Sequence, residues 1–310
     1  MNATVGAANA AHGCYARPLR GWANVSLAVL AVCATLTAQQ RSFSSGVSTV
    51  ALYVTVVGDG GTLTSGLTAS DFEVRDGGEM QRLTHFQAGA LPITMAVLLD
   101  DSPSAQGAKA LTQSAAAALI RRMTPQDRLA LGVFNRSVRM RTGLTNDQNE
   151  LLGQVQASDP LMSGTAMWDA VHAGLATVGD EGGRRVVLVL SDGDDNSSEV
   201  DPSRVAQQTL EEGVLIYGIG VRGLDRRLSA SLKELALATG GWFFELKNRD
   251  NLAATFQRVA DELRAQYLLG FSPQSLDGKV HRIDVRVKRR GLTARTRTRY
   301  LASASANPEP

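Results

Sequence analysis

Asp100, Ser102 and Ser104 stand at alternate positions directly after the apolar run Ile93 to Leu99, so a buried strand would run out into one carboxylate and two hydroxyls. Two more oxygen donors lie downstream. Thr165, within Ser163-Gly164-Thr165, opens a helical stretch, and Asp192, within Ser191-Asp192-Gly193, closes the apolar strand Val186 to Leu190. Together the five would make a cage of oxygen ligands. Mg²⁺ and similar hard cations take oxygen ligands in octahedral geometry at roughly 2.0–2.1 Å and retain several waters. No nucleophile–base pair stands beside the cage, so these residues point to metal-dependent binding rather than catalysis.

Each fragment has a plainer alternative. Ser102 and Ser104 could cap the helix after them, and Thr165 could cap the next one. Their joint order favours the cage. That order resembles the von Willebrand factor type A domain and its metal-ion-dependent adhesion site, whose pattern is Asp-x-Ser-x-Ser, a distant Thr and a distant Asp. Asp100 to Ser104, Thr165 within Ser163 to Ala170, and Asp192 within Leu190 to Asn196 fill that pattern here. Gly66 to Gly77 and Tyr267 to Pro273 look like the flanks of a bacterial secreted branch of the family, so the resemblance runs from about Ser42 to Leu301.

The resemblance implies that Asp100, Ser102, Ser104, Thr165 and Asp192 bind Mg²⁺ or Mn²⁺, some directly and some through water. One coordination position would be left for an exposed Asp or Glu of a protein partner. Pro103 replaces the glycine usual between the two serines, and would distort a turn that needs another φ there. Asp101 reads first as a solvent-facing acid, and otherwise as a charge that favours cations while repelling an acidic ligand. Asp194 and Asp195 read as a solvated acidic loop.

The elements that must position these residues alternate. Strands are expected at 93–100, 128–135, 186–191, 214–220 and 241–245, with a short edge hairpin near 137–141. Helices are expected near 104–122, 146–156, 165–178, 201–212, 226–239 and 249–265. Strands apolar throughout and separated by helices call for an α/β fold, a doubly wound, mostly parallel sheet flanked by helices. Ligands of such sheets bind outside the carboxyl ends of the strands, where Asp100 and Asp192 fall.

Flanking strands are expected to add a small β-module: an N-terminal β segment at 39–91 and a C-terminal β-hairpin segment at 267–302, around a type A domain at 92–266. Ile283, Val285 and Val287 alternate with polar residues, and Arg295, Arg297 and Arg299 fall on one side of a second strand. This basic face reads as solvated, and otherwise as a contact for polyanions, phospholipid headgroups or an acidic partner in the cell envelope. Residues 303–310 read as a disordered tail.

At 310 residues, 44% hydrophobic and 20% charged, the chain can bury a sizeable core. Its net charge of +2 selects no partner, and no nucleic-acid ligand is expected. Arg17 and Arg20 precede an apolar run from Val25 to Ala38, which reads as a signal peptide over residues 1–38 and an exported, periplasmic or extracellular product beginning near Gln39. An uncleaved anchor is the alternative. Cys14 and Cys33, the only cysteines, both fall in this leader, so the mature chain would hold no disulfide and no thiolate site. His172, His85 and His281 have no partner suggested by spacing. Trp168, Trp242, Phe243 and Phe244 read as core. Gly218-Ile219-Gly220 lacks the third glycine and the lysine of nucleotide loops.

These readings favour a non-catalytic, secreted protein-binding module of adhesion or scaffold type. Two alternatives stay open: a metal-dependent hydrolase or phosphotransferase using Asp100 as nucleophile, and a metal-independent scaffold. The enzyme would need Lys or Arg near the metal to stabilise phosphoryl charge, and Lys109 is the first basic residue in sequence after Asp100.

Overall fold

Runs of Val, Leu and Ile without polar interruption make strands buried on both faces, and the central sheet is built from them. The computed structural model describes residues 49–303 apart from 90, 180, 193, 222–229 and 248–250. The leader at 1–38, both cysteines, and residues 304–310 of the tail lie outside the described residues.

β5 (Ile93–Asp100), β6 (Arg128–Phe134), β7 (Val138–Met140), β8 (Arg184–Ser191), β9 (Leu215–Val221) and β10 (Trp242–Leu246) form one sheet in the order β10-β9-β8-β5-β6-β7. Every pairing is parallel except the short edge strand β7, which runs antiparallel to β6. β5 and β8 occupy the middle of the sheet, so Asp100 and Ser191 finish side by side at its carboxyl edge.

Helices cover both faces. Met95, Val97 and Leu99 point into a core with α1 (Lys109–Ile120), α2 (Gln148–Gln156) and α6 (Leu252–Ala265). Ala96 and Leu98 point oppositely, toward α3 (Met167–Val178), α4 (Pro202–Glu212) and α5 (Ala230–Thr239). Two helix starts arise from local chemistry: the Asp147 carboxylate accepts from Asn149 and Glu150 N–H to cap α2, and Asp201 caps α4 just before Pro202. The long helix expected at 104–122 is divided, with a 3₁₀ turn at Ala105–Ala108 ahead of α1.

The flanking strands form two four-stranded sheets. β1 (Val50–Val57), β4 (Leu83–Ala88), β11 (Tyr267–Phe271) and β13 (Thr293–Arg295) run in the order β13-β1-β11-β4. β2 (Phe72–Asp76), β3 (Glu79–Gln81), β12 (Val280–Val287) and β14 (Arg299–Leu301) run in the order β14-β12-β2-β3. Val50, Leu52, Val54 and Val56 share one apolar cluster with Phe72, Val74, Leu269, Phe271, Ile283 and Val285.

The C-terminal hairpin differs from expectation. β12 pairs with β14, but β13 between them crosses to β1 in the other sheet. The basic face forms only in part. Arg295 lies over the Trp242 ring at 4.4 Å from its centre and ion-pairs with the fully buried Glu262. Arg297 is buried and donates to the Ala51 carbonyl at 2.9 Å. Stacking and carbonyl or carboxylate partners replace the water these guanidiniums lose. Arg299 stays exposed, as do Arg282 and Arg286.

Candidate metal centre

β5 ends where its neighbours stop pairing with it, just past Asp100. Asp101 N–H still donates to the Phe134 carbonyl at 2.7 Å, after which the chain turns. The Ala105 N–H reaches the Ser102 carbonyl at 3.0 Å, closing a turn with Pro103 at its second position. That position favours proline, whose fixed φ suits it, and Ser104 comes next in helical conformation at φ −67° and ψ −33°. Pro103 is therefore accommodated without distorting the turn.

The turn folds three site residues onto the tip of β8. Asp100 Oδ1 accepts from Ser102 N–H at 2.9 Å, and Asp100 Oδ2 accepts from the Ser191 hydroxyl at 2.7 Å. The hydroxyls of Ser102 and Ser104 lie 3.0 Å apart, and the Ser104 hydroxyl donates to Asp192 Oδ1 at 2.9 Å. A continuous hydrogen-bonded path thus joins Ser191, Asp100, Ser102, Ser104 and Asp192. Thr165 joins them through its backbone: its N–H donates to Asn196 Oδ1 at 2.9 Å, and its carbonyl accepts from Asn196 N–H at 3.0 Å. Asn196 belongs to the loop that begins at Asp192. Asp100, Ser102, Thr165 and Asp192 are all buried.

None of the three hydroxyl residues caps a helix. α1 is preceded by Ala108 and α3 by Ala166, neither with a side-chain cap, and Ser104 makes no capping bond to the 3₁₀ turn. The start of α3 is served instead by Asp195 and Ser198, which accept from Met167 N–H at 2.8 Å and Trp168 N–H at 2.9 Å. Asp195 is thus a structural acid, whereas Asp194 remains exposed as expected.

Asp101 departs from expectation. It is buried, with Lys109 Nζ at 3.0 Å and Gln106 Nε2 at 2.9 Å from its carboxylate. Arg136 is a basic residue that sequence order alone does not bring to the centre. It stands two residues past Phe134, the residue paired with Asp100 across the sheet, and it abuts Gly164. Gly164, at φ 122°, is wedged so closely that a Cβ there would lie 2.4 Å from the Ser197 hydroxyl and 3.3 Å from Arg136 Cβ.

Burial raises the Asp100 pKa from its ordinary value, and the nearby Asp192 charge adds to this against the opposing hydrogen bonds of Ser102 and Ser191. A cation would relieve both effects. Among the described residues no group of three or more His, Cys, Asp or Glu side chains converges as a metal site. The path gathers the Asp100 and Asp192 carboxylates with the hydroxyls of Ser102 and Ser104, and Thr165 is held by its backbone to the loop that follows Asp192. That all-oxygen set fits a hard divalent cation and lacks the nitrogen and sulfur ligands that structural zinc sites use.

A parallel sheet between helix layers, with this cluster of oxygen donors at its carboxyl edge, defines an α/β module. The sequence matches the von Willebrand factor type A domain family over residues 95–258, more than half of its length, and the chain belongs to that family. Two solved structures of proximal thread matrix protein 1 from the mussel byssus share the fold. One superposes with a TM-score of 0.52 at 20% identity, covering 59% of this chain and 49% of that one. The other, with a zinc-occupied MIDAS motif, gives 0.50 at 22% identity, covering 58% and 47%. The chain thus spans about half the length of these two structures. No curated protein sequence matches it.

Proposed function

We propose that this chain is an exported protein-binding module that holds a divalent cation with Asp100, Ser102, Ser104, Thr165 and Asp192, and through it captures an acidic side chain of a partner protein. The hydrogen-bonded path from Ser191 through Asp100, Ser102 and Ser104 to Asp192 carries this reading, because it gathers two buried carboxylates and hydroxyls that cap no helix. Mg²⁺ or Mn²⁺ is the proposed ion, chosen by the all-oxygen donor set. The zinc in the mussel protein's motif supports divalent binding in this family. Two aspartates leave Mg²⁺ near neutral and short of ligands, so a partner carboxylate can replace water.

Catalysis is disfavoured by geometry. Both Asp100 oxygens are engaged, and the residue is 6% exposed, which suits a ligand better than an attacking nucleophile. Export rests on the basic-then-apolar leader at 1–38. Among the described residues no helix is long and apolar enough to cross a membrane.

Calorimetric titration of Mg²⁺ and Mn²⁺ into the wild type and Asp100→Ala tests the site. Saturable binding only in the wild type supports it, and equal binding in both refutes it. Affinity for an acidic partner in Mg²⁺ against EDTA then tests capture, and turnover of the partner during incubation would replace this reading with the enzyme.

A further inference from the structure

The rim around the proposed centre is asymmetric. On the Asp192 side, Asp194 stands exposed. On the Thr165 side, exposed Arg136 lies against Gly164. Beside it runs the loop 157–163, between α2 and α3. Asp159 in that loop accepts from Arg141 Nε at 2.8 Å and ion-pairs with Arg139 at 3.1 Å. The Pro160 carbonyl accepts from Asn135 Nδ2 at 3.2 Å, and the Asn135 carbonyl accepts from Ala166 N–H at 2.6 Å. The loop is thus tied from beneath by polar contacts at successive residues. Leu161 and Met162, the two residues after Pro160, are left 57% and 42% exposed.

Scattered exposed apolar residues need no explanation, but two adjacent large ones beside a polar centre do. Their loop is anchored by Asp159 and Pro160, so they cannot relax into the core without breaking those contacts. We infer that Arg136, Leu161 and Met162 are the specificity surface of the centre, and that the ligand is a partner segment whose metal-seeking carboxylate is flanked by a large apolar side chain and a second acid. This rests on the proposed metal-dependent capture. Arg136 offers a planar fork for a second carboxylate, Met162 adapts its shape to an apolar neighbour, and exposed Asp194 repels an acidic residue placed next to it. The rim therefore orients the ligand as well as holding it.

Synthetic peptides carrying one central Glu, with Leu, Phe, Ser or Asp at the flanking positions, test this with the full chain in Mg²⁺ and in EDTA. The wild type is expected to prefer peptides with one apolar and one acidic flank. Leu161→Ser/Met162→Ser should lower affinity for the apolar-flanked peptides about tenfold, the effect of losing two partly buried apolar contacts. Arg136→Gln should erase the preference for a second acid. Both variants should retain wild-type Mg²⁺ affinity by calorimetry, since neither removes a proposed ligand. Binding indifferent to the flanks, or unchanged in both variants, overturns this inference while metal-dependent capture stands. Failure of every acidic peptide to bind in Mg²⁺ overturns capture too. Self-association of the wild type that Leu161→Ser/Met162→Ser abolishes would assign the apolar pair to a second copy and also overturn it.

Discussion

Lys109 Nζ lies 3.0 Å from the Asp101 carboxylate, so the acid next to Asp100 is already neutralised by the first residue of α1. Asp101→Asn would leave that ammonium beside the centre without its counter-charge. Mg²⁺ affinity should then fall several-fold, against the simple expectation that removing an acid helps an acidic ligand approach. Lys109→Met should cost about 1–3 kcal/mol of stability, less than breaking a fully buried pair because Lys109 is 26% exposed. Urea denaturation checks this, and combining the two substitutions should recover part of the loss.

Asp100→Ala should abolish Mg²⁺ binding while changing metal-free stability by no more than about 1 kcal/mol, because the wild type already strains to hold a desolvated carboxylate beside Asp192. In the wild type, Mg²⁺ at a hundredfold excess over Kd should add about 2.7 kcal/mol. Thermal melts of both proteins with and without Mg²⁺ give the comparison, and a variant that gains as much as the wild type contradicts it.

Gly164→Ala should cost about 1–3 kcal/mol, since φ 122° is hostile to a side chain and the new Cβ meets the Ser197 hydroxyl. Because Gly164 adjoins Thr165, metal affinity should fall with stability. Denaturation and calorimetry on one preparation test both, and an alanine variant as stable as the wild type would show that the loop adjusts.

Stability should also depend on pH through His281. Its Nδ1 lies 3.1 Å from Asp76 and its Nε2 3.1 Å from Asp277, while the Tyr300 hydroxyl donates to Asp76 at 2.7 Å. Desolvation lowers the His281 pKa, but hydrogen bonds and charge from Asp76 and Asp277 outweigh it and raise it above the usual imidazole value. A raised pKa means the folded state binds the proton more tightly. The stabilisation is complete below about pH 6.5, the unfolded value, and is lost as pH rises through the higher folded value. Urea midpoints at pH 5.5 and pH 8.5, about one unit below and two units above the unfolded value, should differ more in the wild type than in His281→Gln. Equal differences would remove His281 as the cause.

The central sheet was legible because its strands are apolar without interruption, and Asp100 and Asp192 were legible because they end such runs. The features that escaped involve partners far apart in sequence or a local break in a regular pattern. Lys109 meets Asp101 only because a 3₁₀ turn precedes α1. Arg136 comes near Thr165 through pairing of β6 with β5 and the packing of Gly164, neither visible in spacing. β4, a half-exposed edge strand, lacks the clean alternation that marks a one-faced strand. Arg295, Arg297 and Arg299 alternate like the outer face of one strand, yet the backbone leaves β13 before β14 and sends the first two inward. Periodicity shows which residues share a face; it does not say whether Trp242 and Glu262 wait on that side.

β4 and β11 are adjacent, with Ala88 opposite Tyr267 and Phe86 opposite Leu269. The chain thus leaves the flanking sheets and returns to them through one antiparallel ladder, stapled across the base of everything between. β1 lies inside the same sheet, held by β11 on one side and β13 on the other. Tension applied before Val50 would first load the β1 ladders, and tension beyond Leu301 the β14–β12 ladder, before the segment from Ile93 to Ala265 felt the pull. Anything held at the Asp100–Asp192 end of the central sheet would hang on a mechanically sheltered fixture, with the flanking sheets as the part that yields first.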